Sequence, residues 1–289
     1  MDRFFSIILW AGLGCFALAF VLSGLYPYLI TDGSVPEASI EELAKTVPVE
    51  FKDLKERFPV AFTSSFPGSE AALVGQELAG VSLDDPLRVA SDAAWRAAYQ
   101  TALRDGRDVY VGEGCWHCHS QYVRPVANED VRFGPVSRWE QDNNELQRPV
   151  MWGTRRVGPD LTYEGGLRSN DWHVAHFWDP QSTSPGSVMP RFPWFFRDGW
   201  QIHRRIDADI ARRTGLDPET AYPVPGVYPT RAEAEAALVD FRAGLPSSLT
   251  KESDRLFVAE GQGLNAKGLS VVAYLQWLGT WQPEGREVD

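Results

Sequence analysis

The chain has 289 residues, 44% of them hydrophobic and 23% charged, which suits roughly one or two folded domains with a proper core. A formal charge of −11 argues against a nucleic-acid partner and leaves room for a basic redox protein docking by electrostatic steering. Three cysteines are too few for a disulfide scaffold.

Residues 1–31 read as a transmembrane anchor. No charged residue lies between Arg3 and Asp32, and most of the run from Phe4 to Ile30 is apolar. As a helix it is roughly 40 Å long, enough to cross a hydrocarbon core of about 30 Å with some tilt. Tyr26 and Tyr28 fall where an interfacial aromatic belt would. The competing reading is a cleaved leader ending at Ala17-Leu18-Ala19, but the apolar run continues well beyond that point. A retained helix is therefore expected.

Residues 32–105 form a connecting or insert segment with no chemistry of its own. Ser34-Val35-Pro36-Glu37 fits a capping box ahead of Ile40, Leu43 and Ala44. Pro48, Pro59, Pro67 and Pro86 predict short helices joined by extended pieces. Ser91 or Asp92 is a candidate cap for a helix carrying Trp95, Tyr99 and Leu103 on one face. The segment suits a cover for the following domain or a contact with another subunit.

The third region, residues 106–289, is organised around Cys115-Trp116-His117-Cys118-His119. A Cys-x-x-Cys-His run is the spacing of covalent c-type haem attachment: two thiols add across porphyrin vinyl groups, and the next residue offers an imidazole to the iron. A zinc or dithiol site is the alternative. Structural zinc needs four ligands, and the remaining cysteine, Cys15, lies in the apolar run. Haem c is the reading adopted, and it puts this bulk outside the cytoplasm, where such attachment occurs. Gly106 and Tyr110 share a helical face leading to Gly114, a residue suited to a left-handed cap. Near the other end, Val271, Tyr274, Leu275 and Leu278 share one face.

Between those helices the order is specific: Ser120-Gln121-Tyr122-Val123-Arg124-Pro125, Trp152-Gly153-Thr154-Arg155-Arg156-Val157-Gly158-Pro159-Asp160-Leu161, Asp171-Trp172-His173, and Ser187-Val188-Met189-Pro190. It resembles the membrane-anchored monohaem subunit (subunit II) of cbb3-type cytochrome c oxidases. The likeness is dense over residues 106–196 and departs from the family in the long stretch 32–105. It implies an all-α, class I cytochrome c-like domain with insertions, plus one N-terminal transmembrane helix. In such a domain two terminal helices cross, a glycine of one against an aromatic of the other.

The resemblance also assigns roles. His119 is the proximal ligand, and the Pro159 carbonyl accepts from its second ring nitrogen. Met189 is the sixth ligand, because a cytochrome places its methionine after the proline loop and before the terminal helix. His173 and His176 stand as competitors for that position, and otherwise suit structural or interface roles. Trp152, Arg155 and Arg156 belong beside the haem propionates, with Arg124 a further candidate. The implied work is electron transfer from an external c-type haem, through one covalently attached His/Met haem c, to the haem–copper catalytic subunit that reduces dioxygen to water. Implied partners are that subunit, further cytochrome c subunits and membrane lipid. The implied location is the bacterial inner membrane with the haem domain on the periplasmic side. Alternatives are the cytochrome c subunit of a bacterial nitric oxide reductase, a free membrane-tethered shuttle, or a haem-based sensor.

Beyond the methionine loop, residues 202–214 read as a basic, polar helix and 217–229 as a proline-rich loop. Thr230-Arg231-Ala232-Glu233 is a capping box opening an alanine-rich helix to about Gly244. These pieces look like insertions decorating the core.

Overall fold

The computed structural model describes residues 2–31, 37–74, 78, 80–205, 212, 221–223, 228–243 and 256–281. The chain starts with α1 (Asp2–Phe20), passes through a widened turn at Val21–Leu25 and continues as α2 (Tyr26–Thr31). Together they give a 28-residue apolar run, Arg3–Ile30, long enough to cross a bilayer. Residues 3–30 are all exposed, so none of the other described residues covers this apolar surface.

A single helical turn, Ile40–Leu43, opens with a true capping box formed by Ser39 and Glu42. Three of the four residues expected to form a box, Ser34 to Pro36, lie outside the described residues. Next come α3 (Val49–Arg57), α4 (Pro59–Ser65) and the long α5 (Pro86–Gly112). The last begins earlier than expected. Asp85 is its cap, accepting from Leu87 N at 2.8 Å, with Pro86 in the first turn where its missing N–H costs nothing. Ser91 is instead buried inside the helix and accepts from Leu73 N at 2.9 Å. Phe51, Phe62, Phe66, Trp95 and Tyr99 form one aromatic cluster, with Phe51 and Tyr99 centroids 4.8 Å apart. This cluster is continuous with the core around Leu269 and Tyr274, and the expected division at 105/106 falls inside α5.

Helix α6 (Asn170–Trp178) is capped by Ser169. The described residues are mostly helical, and beyond α6 they depart from the all-α expectation in one three-stranded antiparallel sheet. Strand β1 (Phe196–Arg205) lies between β2 (Ala221–Pro223) and β3 (Leu256–Leu264), and α7 (Arg231–Ala243) packs on β1 and β3. The register runs from Phe196↔Leu264 to Arg204↔Leu256. Ile202 to Arg205 are therefore strand rather than the start of a basic helix; residues 206–211, 213 and 214 lie outside the described residues. Pairing decides it: Ile202 sits opposite Val258 and packs with Leu238 and Leu256 in a small separate core. The Thr230 box is present, with Glu233 N 3.3 Å from Thr230 Oγ1 and Thr230 N 3.2 Å from Glu233 Oε2.

The last helix, α8 (Ala266–Trp277), is buried along nearly its whole length and crosses α5. The crossing point is Gly106, where an added Cβ would stand 2.1 Å from Ser270 O and 2.6 Å from Tyr274 Cβ. Only glycine admits that approach. One turn on, the Tyr110 and Tyr274 rings are 5.6 Å apart, and Tyr274 OH donates to Gln121 Oε1 at 2.9 Å. The helix that leads into the cysteine pair is thus fixed against the far end of the chain.

Candidate functional site

Helix α5 ends at Gly112, and Gly114, with φ of +73°, turns the chain into the single turn Cys115–Cys118. A left-handed residue is needed there, and glycine takes it without strain. Both thiols are free. Burial, reinforced by the Glu113 carboxylate, pushes the Cys115 thiol up to about 12, so it stays protonated at neutral pH. The turn is tied down by the loop that follows Trp152. His117 O accepts from Thr154 N, Arg155 N and Arg156 N, and Cys118 O accepts from Gly158 N at 3.1 Å.

His119 leaves the turn in extended conformation, its carbonyl accepting from Tyr110 OH at 2.5 Å. Its Nδ1 lies 2.9 Å from Pro159 O. A carbonyl can only accept, so Nδ1 carries the proton and Nε2 is the free lone pair. Burial lowers the imidazole pKa, and the Pro159 carbonyl pulls the other way. The ring rests on Gly158, where an added Cβ would be 2.2 Å from Cε1. Asp160 locks this loop: its carboxylate accepts from Tyr122 N at 3.0 Å, Thr162 N at 2.9 Å and Thr162 Oγ1 at 2.6 Å, and from Ser120 Oγ. These bonds hold the Pro159 carbonyl in front of the imidazole.

Cys115, Cys118, His119, Pro159 and Met189 all line one cavity of about 580 Å³. That volume lies within the roughly 300–1,000 Å³ range of ligand sites. Leu161, Phe177, Phe192, Val271 and Leu275 give it apolar walls. Met189 comes in on the loop after α6, its N donating to Ser187 Oγ at 3.2 Å. Met151 is buried but is not part of the lining, and Met1 lies outside the described residues.

Trp152, Arg155, Arg156 and Arg124 do not line this cavity. Trp152 is exposed and tilts against Tyr122 at 4.3 Å, and Arg155 is exposed. Arg124 and Arg156 close instead on the buried carboxylate of Glu129. Arg124 Nε donates to Oε1 at 2.9 Å, Arg124 N to Oε2 at 3.0 Å, and Arg156 to Oε2 at 2.6 Å. The Arg124 hydrogen bond, with the charges of both arginines, holds the Glu129 carboxyl below the usual carboxylate range. This cluster lines a second cavity of about 360 Å³, which shares Val157, Gly158 and Pro159 with the first.

Glu164 and Arg168 on the first cavity were given no role by sequence reasoning, and His173 and His176 also line it, where they entered as competitors for the sixth ligand. The two histidines, three apart on α6, point to the same cavity. His176 stacks on Trp172 at 4.4 Å, with Nδ1 2.6 Å from Thr183 Oγ1, and burial takes its pKa down to about 4. Burial takes His173 down to about 3, helped by the Arg168 and His176 charges. A spacing of three signals a shared helical face; nothing local signals that the face turns toward a cavity.

The family model described as "Cytochrome C oxidase, mono-heme subunit/FixO" matches residues 90–281. Among curated proteins no match is found.

Proposed function

The chain belongs to the cytochrome c oxidase mono-haem subunit family, and on that premise we propose that it carries one covalently attached haem c in the larger cavity and relays electrons through it. The observation that carries this reading is convergence. Thiols from 115 and 118, an imidazole from 119, a carbonyl from 159 and a thioether from 189 come together on one apolar-walled cavity. Gly158 packs close under the His119 ring and Pro159 O holds its Nδ1, which would orient the imidazole as an iron ligand.

Haem supplies a one-electron iron couple. Cys115 and Cys118 provide the two thiols for attachment. His119 offers Nε2 to the iron, and the bond from Nδ1 to Pro159 fixes its tautomer and makes it a stronger base. Met189 supplies a soft thioether, which favours the reduced iron and raises the potential. The apolar walls keep water from the site, which restrains charge rearrangement on electron transfer. Arg3–Ile30 anchors the chain in the inner membrane, with the haem-binding part on the periplasmic side. Electrons come from an external c-type haem and leave to the haem–copper subunit that reduces dioxygen.

The test is the weak near-infrared band of methionine sulfur on oxidised haem iron, recorded in wild type and in Met189→His. The band is expected in wild type and lost in the variant. Its absence from wild type, or its survival in the variant, would overturn the ligand assignment.

A further inference from the structure

We propose that Glu164 and His173 form a proton-binding site on the wall of the larger cavity, which takes one proton from solvent as the protein accepts one electron. The proposal rests on the haem reading above. Both side chains line the cavity and are almost fully buried, 4% and 3% exposed. His173 Nε2 has no hydrogen-bond partner, and Glu164 Oε1 stands 3.8 Å away. Buried nitrogens of this kind are rare, and each calls for a reason.

The chemistry of the pair supplies one. An ionised carboxylate only accepts; a protonated one also donates, and neutral imidazole can accept at Nε2. A proton added to Glu164 therefore gives the orphan nitrogen a donor once the two side chains close by about 1 Å. Arg168 opposes that step, because its hydrogen bonds and its charge favour the ionised carboxylate, but burial outweighs it. Its guanidinium reaches the two Glu164 oxygens at 2.7 and 2.6 Å while its own side chain is 37% exposed, which connects the pair to solvent. Burial raises the Glu164 carboxyl above its ordinary range and keeps His173 neutral, so Glu164 is the member that takes the proton.

Other titratable and charged groups around the pair are accounted for. On α6, His176 is bonded to Thr183, and Asp171 is paired with Arg57 of α3. Asp53 of α3 holds Arg57 and Asn170. His119 is bonded to Pro159, and Tyr274 of α8 to Gln121. Arg168 alone contacts Glu164 among the described ion pairs that carry a fixed charge.

The coupling follows from charge. An electron entering a low-dielectric cavity adds one negative charge and raises the proton affinity of acids on its wall. The step balances: a one-electron donor gives the electron, solvent gives the proton, and only the O–H bond on Glu164 forms. Both leave when the electron is passed on.

The experiment is a redox titration of the haem absorbance in the full-length, haem-loaded protein in detergent, at about pH 5 to 9. The midpoint potential is expected to fall as pH rises, by at most about 59 mV for each tenfold fall in proton activity. Glu164→Gln should flatten that dependence, and Glu164→Asp should retain it. A flat wild-type profile, or an unchanged slope in Glu164→Gln, overturns the proposal. Should Glu164→Gln fail to load haem, reduced-minus-oxidised infrared spectra of wild type decide: a carboxylic acid C=O band must grow on reduction, and its absence overturns the proposal. Failure here is separable from failure of the haem reading, because the methionine–iron band would persist with a pH-independent potential.

Discussion

Two buried carboxylates flank the same loop, and their surroundings send them in opposite directions. Glu129 and Glu164 are alike in exposure, with side chains 5% and 4% accessible. Glu129 receives two arginines and a backbone N–H, and its carboxyl is held low. Glu164 receives one arginine that is partly in water, and its carboxyl is pushed up. Burial alone therefore does not set the charge of a carboxylate; the number of donors that follow it inside does. Between the two lies the segment Val157 to Asp160, with the Pro159 carbonyl that orients His119. One carboxylate ties that loop down, and the other is left able to change its protonation.

Breaking the first of the pair should have the largest effect. Glu129→Ala leaves Arg156, only 14% exposed, without its closest counter-charge, the next carboxylate being Asp160 at 3.8 Å. Removing one partner of a buried pair costs about 3–5 kcal/mol. Arg124 is 45% exposed and returns to water, so the low end, about 3 kcal/mol, is expected. Chemical denaturation of the haem-loaded protein measures it. A loss under about 1 kcal/mol would place Glu129 with ordinary surface pairs.

Pressing on the loop between the two carboxylates comes next. Gly158→Ala puts a methyl 2.2 Å from His119 Cε1, so the ring or the loop must move. Overpacking of this kind costs about 1–3 kcal/mol. The displaced ring also loses its bond to Pro159, which should alter the haem spectrum along with the denaturation midpoint. A normal spectrum with full stability would show that the ring has room the structure does not reveal.

Which parts of this arrangement could be read in advance depends on how local their causes are. The Gly114 reversal and the Thr230 box are short-range patterns, and each has its expected local geometry. The Gly106–Tyr274 contact is distant in sequence, and it was expected only because the family resemblance implies such a crossing. The sheet did not announce itself, because β1 owes its conformation to partners at 256–264 that no local window contains. Arg124 and Arg156 were assigned by charge type alone. Both contact Glu129, which lies 5 and 27 residues away, and nothing in the spacing ties it to them. His173 was read as a competitor for the sixth ligand or as structural, and nothing local tied it to Glu164, which comes from a different turn of the chain.

Acid titration should separate the two carboxylates by sign. Glu129 has a folded pKa below its ordinary 4.5, so its contribution is full above that value and lost as pH falls through the lowered one. Glu164 is raised, so its contribution is full below 4.5 and lost as pH rises through the raised value. His173 adds to the acid limb: ordinarily 6.5 and about 3 when folded, it makes stability fall with pH between those limits. For one group the slope is at most about 1.4 kcal/mol per pH unit. Denaturation midpoints from about pH 7 down to 4 should decline less steeply in His173→Phe than in wild type. Equal slopes would mean that His173 is charged in the fold.

The smallest expected effect is on the second carboxylate itself. Glu164→Gln keeps the size of the side chain and one oxygen for Arg168, and removes a charge whose burial was unfavourable. The ion pair it gives up includes a side chain 37% exposed, and pairs screened in this way contribute about 0–1 kcal/mol. The gain from relieved desolvation opposes that loss, so the denaturation midpoint should shift by less than about 1 kcal/mol in either direction. The Gln amide can also donate to His173 Nε2, as a protonated glutamate would. A loss near that of Glu129→Ala would make Glu164 a second structural lock and erase the asymmetry. A near-neutral result leaves the cost of burying its charge as the property that distinguishes it, which is the property a site of reversible protonation requires.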